Sequence, residues 1–222
     1  MFKKTILGVF LYVHSYRSNL VTALLVPVCL SIGWDVLCSD VQDTMAIIGT
    51  QFISLVIASM ISLNIHRTIL IESKPTSIWA GITFDKTAIW FLGHYLALTI
   101  AFLAIGGLAY FMGLAVLALM IPAVILGTRL ALVFPAIALG KGVSFKYSWH
   151  LTSKYKMYIA MTVILFPLLL TIPLIVLLLL FDTPFFVKSI IGMVTTLLTT
   201  TAISIAYKLI LDDLKATTSQ NA

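Results

Sequence analysis

Two stretches of this sequence carry charged and aromatic groups that stand out from their apolar surroundings. The segment PAIALGKGVSFKYSWHLTSKYK, Pro135 to Lys156, packs Lys141, Lys146, His150, Lys154 and Lys156 among Phe145, Tyr147, Trp149 and Tyr155. Ammonium groups interleaved with Trp and Tyr suit the headgroup layer of a membrane. There the cations meet anionic headgroups, and each aromatic side chain sets an apolar body and a polar tip across the boundary. The second feature is Arg129, in ILGTRLALVFPA, about ten residues before the chain leaves its apolar run. Charge inside a bilayer is costly. Arg129 is therefore either an intramembrane polar site or a side chain that snorkels to the inner headgroups or caps carbonyls freed by Pro135. Asn64, Glu72 and Asp85 are its candidate partners.

On a helix running from Val143 to Tyr158, Tyr147, Leu151, Tyr155 and Tyr158 fall within one arc. Lys146, His150 and Lys154 fall on the adjacent arc, with Phe145, Trp149 and Lys156 on the far side. That pattern predicts an amphipathic helix wedged between lipid and a helical bundle. The lipid-interface residues are accordingly Lys146, Tyr147, Trp149, His150, Lys154, Tyr155 and Lys156, with membrane lipids, above all anionic headgroups, as partners.

No catalytic, cofactor-binding or metal site is expected. Of His14, His66, His94 and His150, only His94 is expected within a span, so a bis-histidine haem lacks its second buried ligand. There is no H-E-x-x-H and no intramembrane carboxylate pair. The run TTLLTTTAIS, Thr195 to Ser204, suggests hydroxyls bonded to their own helix or a neighbour, or lining a polar path. It offers no support for a Ser–His arrangement. Cys29 and Cys38 lack a C-x-x-C spacing, and on one helix they stand about 13 Å apart, too far for a disulfide.

These residues need elements to position them, and composition says which. The chain of 222 residues is 61% hydrophobic and 10% charged, with mean hydropathy +1.11. A soluble domain carries about 25% charged residues, so lipid must be the solvent for much of this surface. At roughly 20 apolar residues per span, the length predicts a single all-α membrane domain of six transmembrane helices. The spans read as 19–37, 44–65, 87–108, 111–139, 158–181 and 185–208, with Gly106, Gly107 and Gly113 offering the turn between the third and fourth. Pro27, Pro122, Pro135, Pro167 and Pro173 predict kinks. The N-terminus MFKKTILGVFLYVHSYRSN does not read as a signal peptide, because His14, Tyr16 and Arg17 interrupt its apolar positions.

With the N-terminus inside, every Lys and Arg except Lys188 falls on the inner side, while Asp35, Asp40, Asp43 and Asp182 fall outside. This positive-inside pattern puts both termini in the cytoplasm. It also accounts for the net charge of +6 without nucleic acid.

The inner segments share a form: an aromatic, half-polar stretch, a charged corner, then a span. Arg17, Asp85 and Lys154 occupy matching corners. That spacing predicts a threefold repeat (1–69, 70–139 and 140–208, with a tail at 209–222), each unit an interfacial helix plus a transmembrane hairpin.

The segment FPAIALGKGVSFKYSWHLTSKY resembles a motif of the YciC-like family and of the membrane domain attached to some glycerophosphodiester phosphodiesterases. Its parts are a Pro-ended span, a small-residue turn, an S-W-x-L-T helix and a basic corner. Ser148, Trp149, Leu151, Thr152 and Lys154 match, while Tyr155 and Lys156 stand where the family usually has Gly-Asn. The strong match covers about a tenth of the chain. The resemblance implies a six-helix bacterial inner-membrane protein. It implies no phosphodiesterase activity, since the chain has no room for that catalytic domain. The expected function is non-enzymatic, in envelope or lipid homeostasis or as a partner subunit of a membrane complex. The alternative is a transporter or channel for a small amphiphile.

Overall fold

The computed structural model describes residues 1–71, 77–112, 116–181 and 185–220. All secondary structure among them is helical. The order is α1 (Phe2–Ser15), α2 (Arg17–Leu37), α3 (Thr44–Leu70), a 3-10 helix (Ile78–Ile82), α4 (Lys86–Met112), α5 (Val116–Leu130) and α6 (Val133–Ala138). Then come α7 (Phe145–Leu151), α8 (Lys156–Ala160), a π-helical turn (Met161–Leu165), α9 (Phe166–Leu180) and α10 (Phe185–Gln220).

Six stretches are long and apolar enough to cross a membrane: Arg17–Leu37, Thr44–Leu70, Lys86–Leu108, Ile121–Ala138, Lys156–Leu178 and Val187–Ser219. They match the six expected spans in order. Between the third and fourth, Gly106 and Gly107 do not turn the chain but lie within α4; Gly113 lies outside the described residues.

The predicted single helix from Val143 to Tyr158 is broken. α7 ends at Leu151, and α8 begins only at Lys156. The Thr152 hydroxyl is bonded to the Ser148 and Trp149 carbonyls, a local side-chain bond that competes with helix continuation.

Prolines explain the other irregularities. Pro135 sits third in α6, where a helix has no use for its N–H, and the span breaks just before it at Ala131 and Leu132. The π turn ends two residues before Pro167, whose ring crowds the carbonyl four residues back, inside that turn. Pro27, inside α2, leaves the Ala23 carbonyl without its helical donor. Gly81 of the 3-10 helix packs there so closely that a Cβ would lie 2.3 Å from the Ala23 oxygen. Asn64 of α3 clamps the same residue, its amide donating to the Gly81 carbonyl at 2.8 Å.

Because the helices alternate in direction, the Lys- and Arg-rich corners meet at one end of the bundle, here called the basic end. The buried core lies toward it. One cluster joins Val9, Leu20, Ile65, Ile69 and Ile205. A second joins Ala88, Phe91, Phe134 and Ile137, and a third Leu132, Tyr155, Ile159, Tyr207 and Ile210.

Candidate functional site

The site begins where α6 stops. Gly140 takes φ +75°, the left-handed geometry that costs glycine least. The N–H groups of Gly140 and Lys141 then return to the carbonyls of Ile137 and Ala136, at 2.8 and 3.2 Å. This Schellman closure reverses the chain. The Trp90 indole N–H fixes the next residues by donating to the Val143 carbonyl at 3.1 Å, and α7 is laid back against the end of α5.

There α7 meets Arg129. The Ser148 hydroxyl, fully buried, donates to the Arg129 carbonyl at 2.8 Å, and the equally buried Thr152 hydroxyl oxygen lies 3.3 Å from the same carbonyl. That carbonyl lies in the last turn of α5, where backbone donors run out. The Arg129 guanidinium stands 4.4 Å from the centroid of the Trp149 ring, a cation–π contact. Arg129 is 9% exposed, and its Nε and Nη1 have no hydrogen-bond partner. Those two nitrogens therefore cap no carbonyl freed by Pro135. The predicted partners are engaged elsewhere: Asn64 with Gly81, and Asp85 with Arg67 at 2.6 Å. Glu72 lies outside the described residues.

The other face of the segment is tied to α10. Tyr147 and Tyr207 share a hydroxyl hydrogen bond at 3.1 Å, and Lys141 Nζ donates to the Tyr207 hydroxyl at 3.2 Å. The Tyr155 hydroxyl donates to Asp213 at 2.5 Å, with Lys154 Nζ 3.8 Å from the same carboxylate. Burial and the hydrogen bond to Tyr207 push the Tyr147 phenol up to about 12, against the pull of the Lys141 charge. Burial and the Asp213 carboxylate push the Tyr155 phenol up to about 12. At Asp85, burial works to raise the pKa, but the Ala88 N–H and the Arg67 guanidinium outweigh it and hold the carboxylate below its ordinary range.

The structure thus brings Arg129 and Trp149 together, and gathers Tyr147, Lys154 and Tyr155 onto α10. It leaves Lys146, His150 and Lys156 exposed. Each residue of the S-W-x-L-T pattern has a contact: Ser148, Trp149 and Thr152 with Arg129, Leu151 with the third buried cluster, and Lys154 with Asp213. Sequence reasoning missed Tyr207 and Asp213. The signal available was their place on one helix beside Lys208, where the sixth apolar run acquires charge.

A second polar pairing corrects the reading of the histidines. His66 lies within α3 and is buried, with Nδ1 2.7 Å from the Ser204 hydroxyl oxygen. Ser204 also lies 3.0 Å from the Thr200 carbonyl; with its proton placed there, His66 Nδ1–H is the donor between them. A ring nitrogen that donates to a serine cannot remove its proton, and Ser204 is fully buried. The pair ties α3 to α10.

Cys29 and Cys38 are free thiols. Among the described residues no group of three His, Cys, Asp or Glu side chains could hold a metal ion. No protein-family model, no curated protein and no solved structure matches the chain.

Proposed function

We propose that this is a non-enzymatic protein of the bacterial inner membrane, with both termini cytoplasmic. It serves envelope or lipid homeostasis by holding anionic lipid headgroups at the inner leaflet, alone or as a subunit of a membrane complex. The observation that carries this reading is the division of the basic-aromatic segment. Its tyrosines are spent on α10, while Lys146, Trp149, His150 and Lys156 remain exposed. Such a surface suits phosphate-bearing headgroups above and acyl chains below. Within this reading, α1, the 3-10 helix and α7 are the interfacial members of three repeated units, each followed by a hairpin.

The test is Lys146→Gln combined with Lys156→Gln in the full chain, in nanodiscs containing phosphatidylglycerol. At about 1 kcal/mol per cation, affinity for the anionic lipid should fall about thirtyfold, with thermal stability unchanged. Equal lipid retention by variant and parent would sink the proposal. A second arm checks orientation: in a background without Cys29 and Cys38, a cysteine at Asp40 should react with an impermeant reagent in intact cells, and one at Ser219 only after lysis.

One observation favours a transporter of a small amphiphile. An apolar groove of about 730 Å³ between α3 and α4 is lined by Phe52, Leu55, Tyr95, Leu96 and Leu103, with Gln51 and Thr99 as polar points. Reconstituted flux that vanishes in a folded Arg129→Ala variant would move the assignment there.

A further inference from the structure

A cleft of about 530 Å³ opens at the basic end between the start of α4 and the α6–α7 turn. Lys86, Thr87, Trp90, Ile137, Lys141 and the bare backbone of Gly140 and Gly142 line it. We infer that this cleft is a binding site for a single phosphate group, that of an anionic glycerophospholipid headgroup. The inference rests on the inner-leaflet reading above and names a place and a ligand for it.

The donors suit a phosphate. Two ammonium groups and one hydroxyl come from two separate elements, matching an oxyanion with several acceptor oxygens better than a carboxylate with two. Lys141 is held at the cleft by its bond to the Tyr207 hydroxyl, which leaves two of its three donors unspent.

The carboxylate that adjoins Lys86 in sequence does not compete. Asp85, next to Lys86, is bound by Arg67 at 2.6 Å and accepts the Ala88 N–H at 2.7 Å. This engagement offsets its charge and leaves Lys86 available to an outside anion.

The cleft also has the mixed character of a headgroup seat. Its cations lie at the corner, while Trp90 and Ile137 form an apolar wall. Ile89 and Trp90 are 62% and 48% exposed beside it, so acyl chains can continue down the outside of α4. At both glycines a Cβ would meet nothing within 4 Å, so the floor beneath a headgroup is uncrowded.

The experiment is native mass spectrometry of the full chain, delipidated in detergent and titrated with phosphatidylglycerol or phosphatidylcholine. The variants are Lys86→Gln with Lys141→Gln, and separately Lys146→Gln with Lys156→Gln. The cleft pair should lose one tightly held phosphatidylglycerol, its affinity falling at least about tenfold, while phosphatidylcholine binding and the melting temperature stay unchanged. A cleft variant that binds phosphatidylglycerol like the parent overturns the site. If the Lys146/Lys156 variant alone loses lipid in the same series, the inner-leaflet reading survives and only the cleft falls. Because Lys141 also bonds Tyr207, Lys86→Gln alone is the control for folding and should show the same loss in part. Competition names the source. A lipid that millimolar glycerol phosphate does not displace is held as a lipid; one that it displaces marks a site for soluble phosphate esters.

Discussion

The two ends of the bundle are built differently. At the basic end, polar side chains tie α10 to nearly everything around it. Lys208 reaches Tyr12 of α1 at 3.0 Å, Ser204 meets His66 of α3, Tyr207 meets Lys141 and Tyr147, and Asp213 meets Tyr155. At the opposite end the described residues show two cross-element ties, Trp34 to the Thr50 carbonyl at 3.1 Å and Ser189 to Asp35 at 3.2 Å. Large apolar side chains such as Leu103, Leu169 and Leu180 remain outward there. Leaving lipid for another helix gains an apolar side chain little, so helices in a bilayer are joined by close packing and hydrogen bonds. The basic end has both, and this contrast explains why the core gathers there.

The largest test of the contrast is Gly81→Ala. The new methyl would meet the Ala23 carbonyl at 2.3 Å, a backbone atom that cannot swing aside, so the 3-10 helix must lift from α2 and Asn64 must lose its bond. A loss of about 3 kcal/mol is expected, read as a lower denaturation midpoint in detergent. An unchanged midpoint would mean that the 3-10 helix is not part of the locked end.

A middle-sized effect comes from alkali. Tyr147 and Tyr155 both titrate near 12 when folded, against an ordinary 10. Their stabilisation is therefore complete below pH 10 and is lost as pH rises from 10 through 12. The melting temperature should fall across that window, and Tyr155→Phe should shallow the fall. A slope identical in the variant would remove Tyr155 from the account.

The smallest effect belongs to the far end. Trp34→Phe deletes one bond to a backbone carbonyl and should cost less than about 1 kcal/mol. A loss as large as that of Gly81→Ala would erase the distinction between the ends.

The span count and order were legible because apolar runs of membrane length are written in composition and need no knowledge of contacts. The helical arc through Tyr147, Leu151, Tyr155 and Tyr158 also told which side faces the bundle, even though the helix carrying it is interrupted: all four pack in the third buried cluster. What the sequence hid is long-range. Arg129 lies near Trp149 only because Gly140 turns the chain back. Asp213 is far from Tyr155 in sequence, and His66 is far from Ser204. An interfacial helix before the third span was expected, but the docking of this 3-10 helix was hidden for another reason. Its place depends on a carbonyl released by Pro27 in a different helix, and no periodicity in the residues around Gly81 encodes that.

α10 follows every other helix in the chain, yet it supplies the partners for α1, α3 and the Tyr147–Tyr155 segment. During synthesis, then, five spans must wait in the bilayer with His66, Lys141, Tyr147 and Tyr155 unmatched until the sixth emerges. Closure of the α10 ties is therefore the last step in assembling the basic end, after the bonds of Asn64 to Gly81, Arg67 to Asp85 and Ser148 to Arg129 can already have formed. A ribosome stalled before Ser204 would leave His66 unpaired within its span, a chemical mark by which membrane proteases could tell an unfinished chain from a finished one.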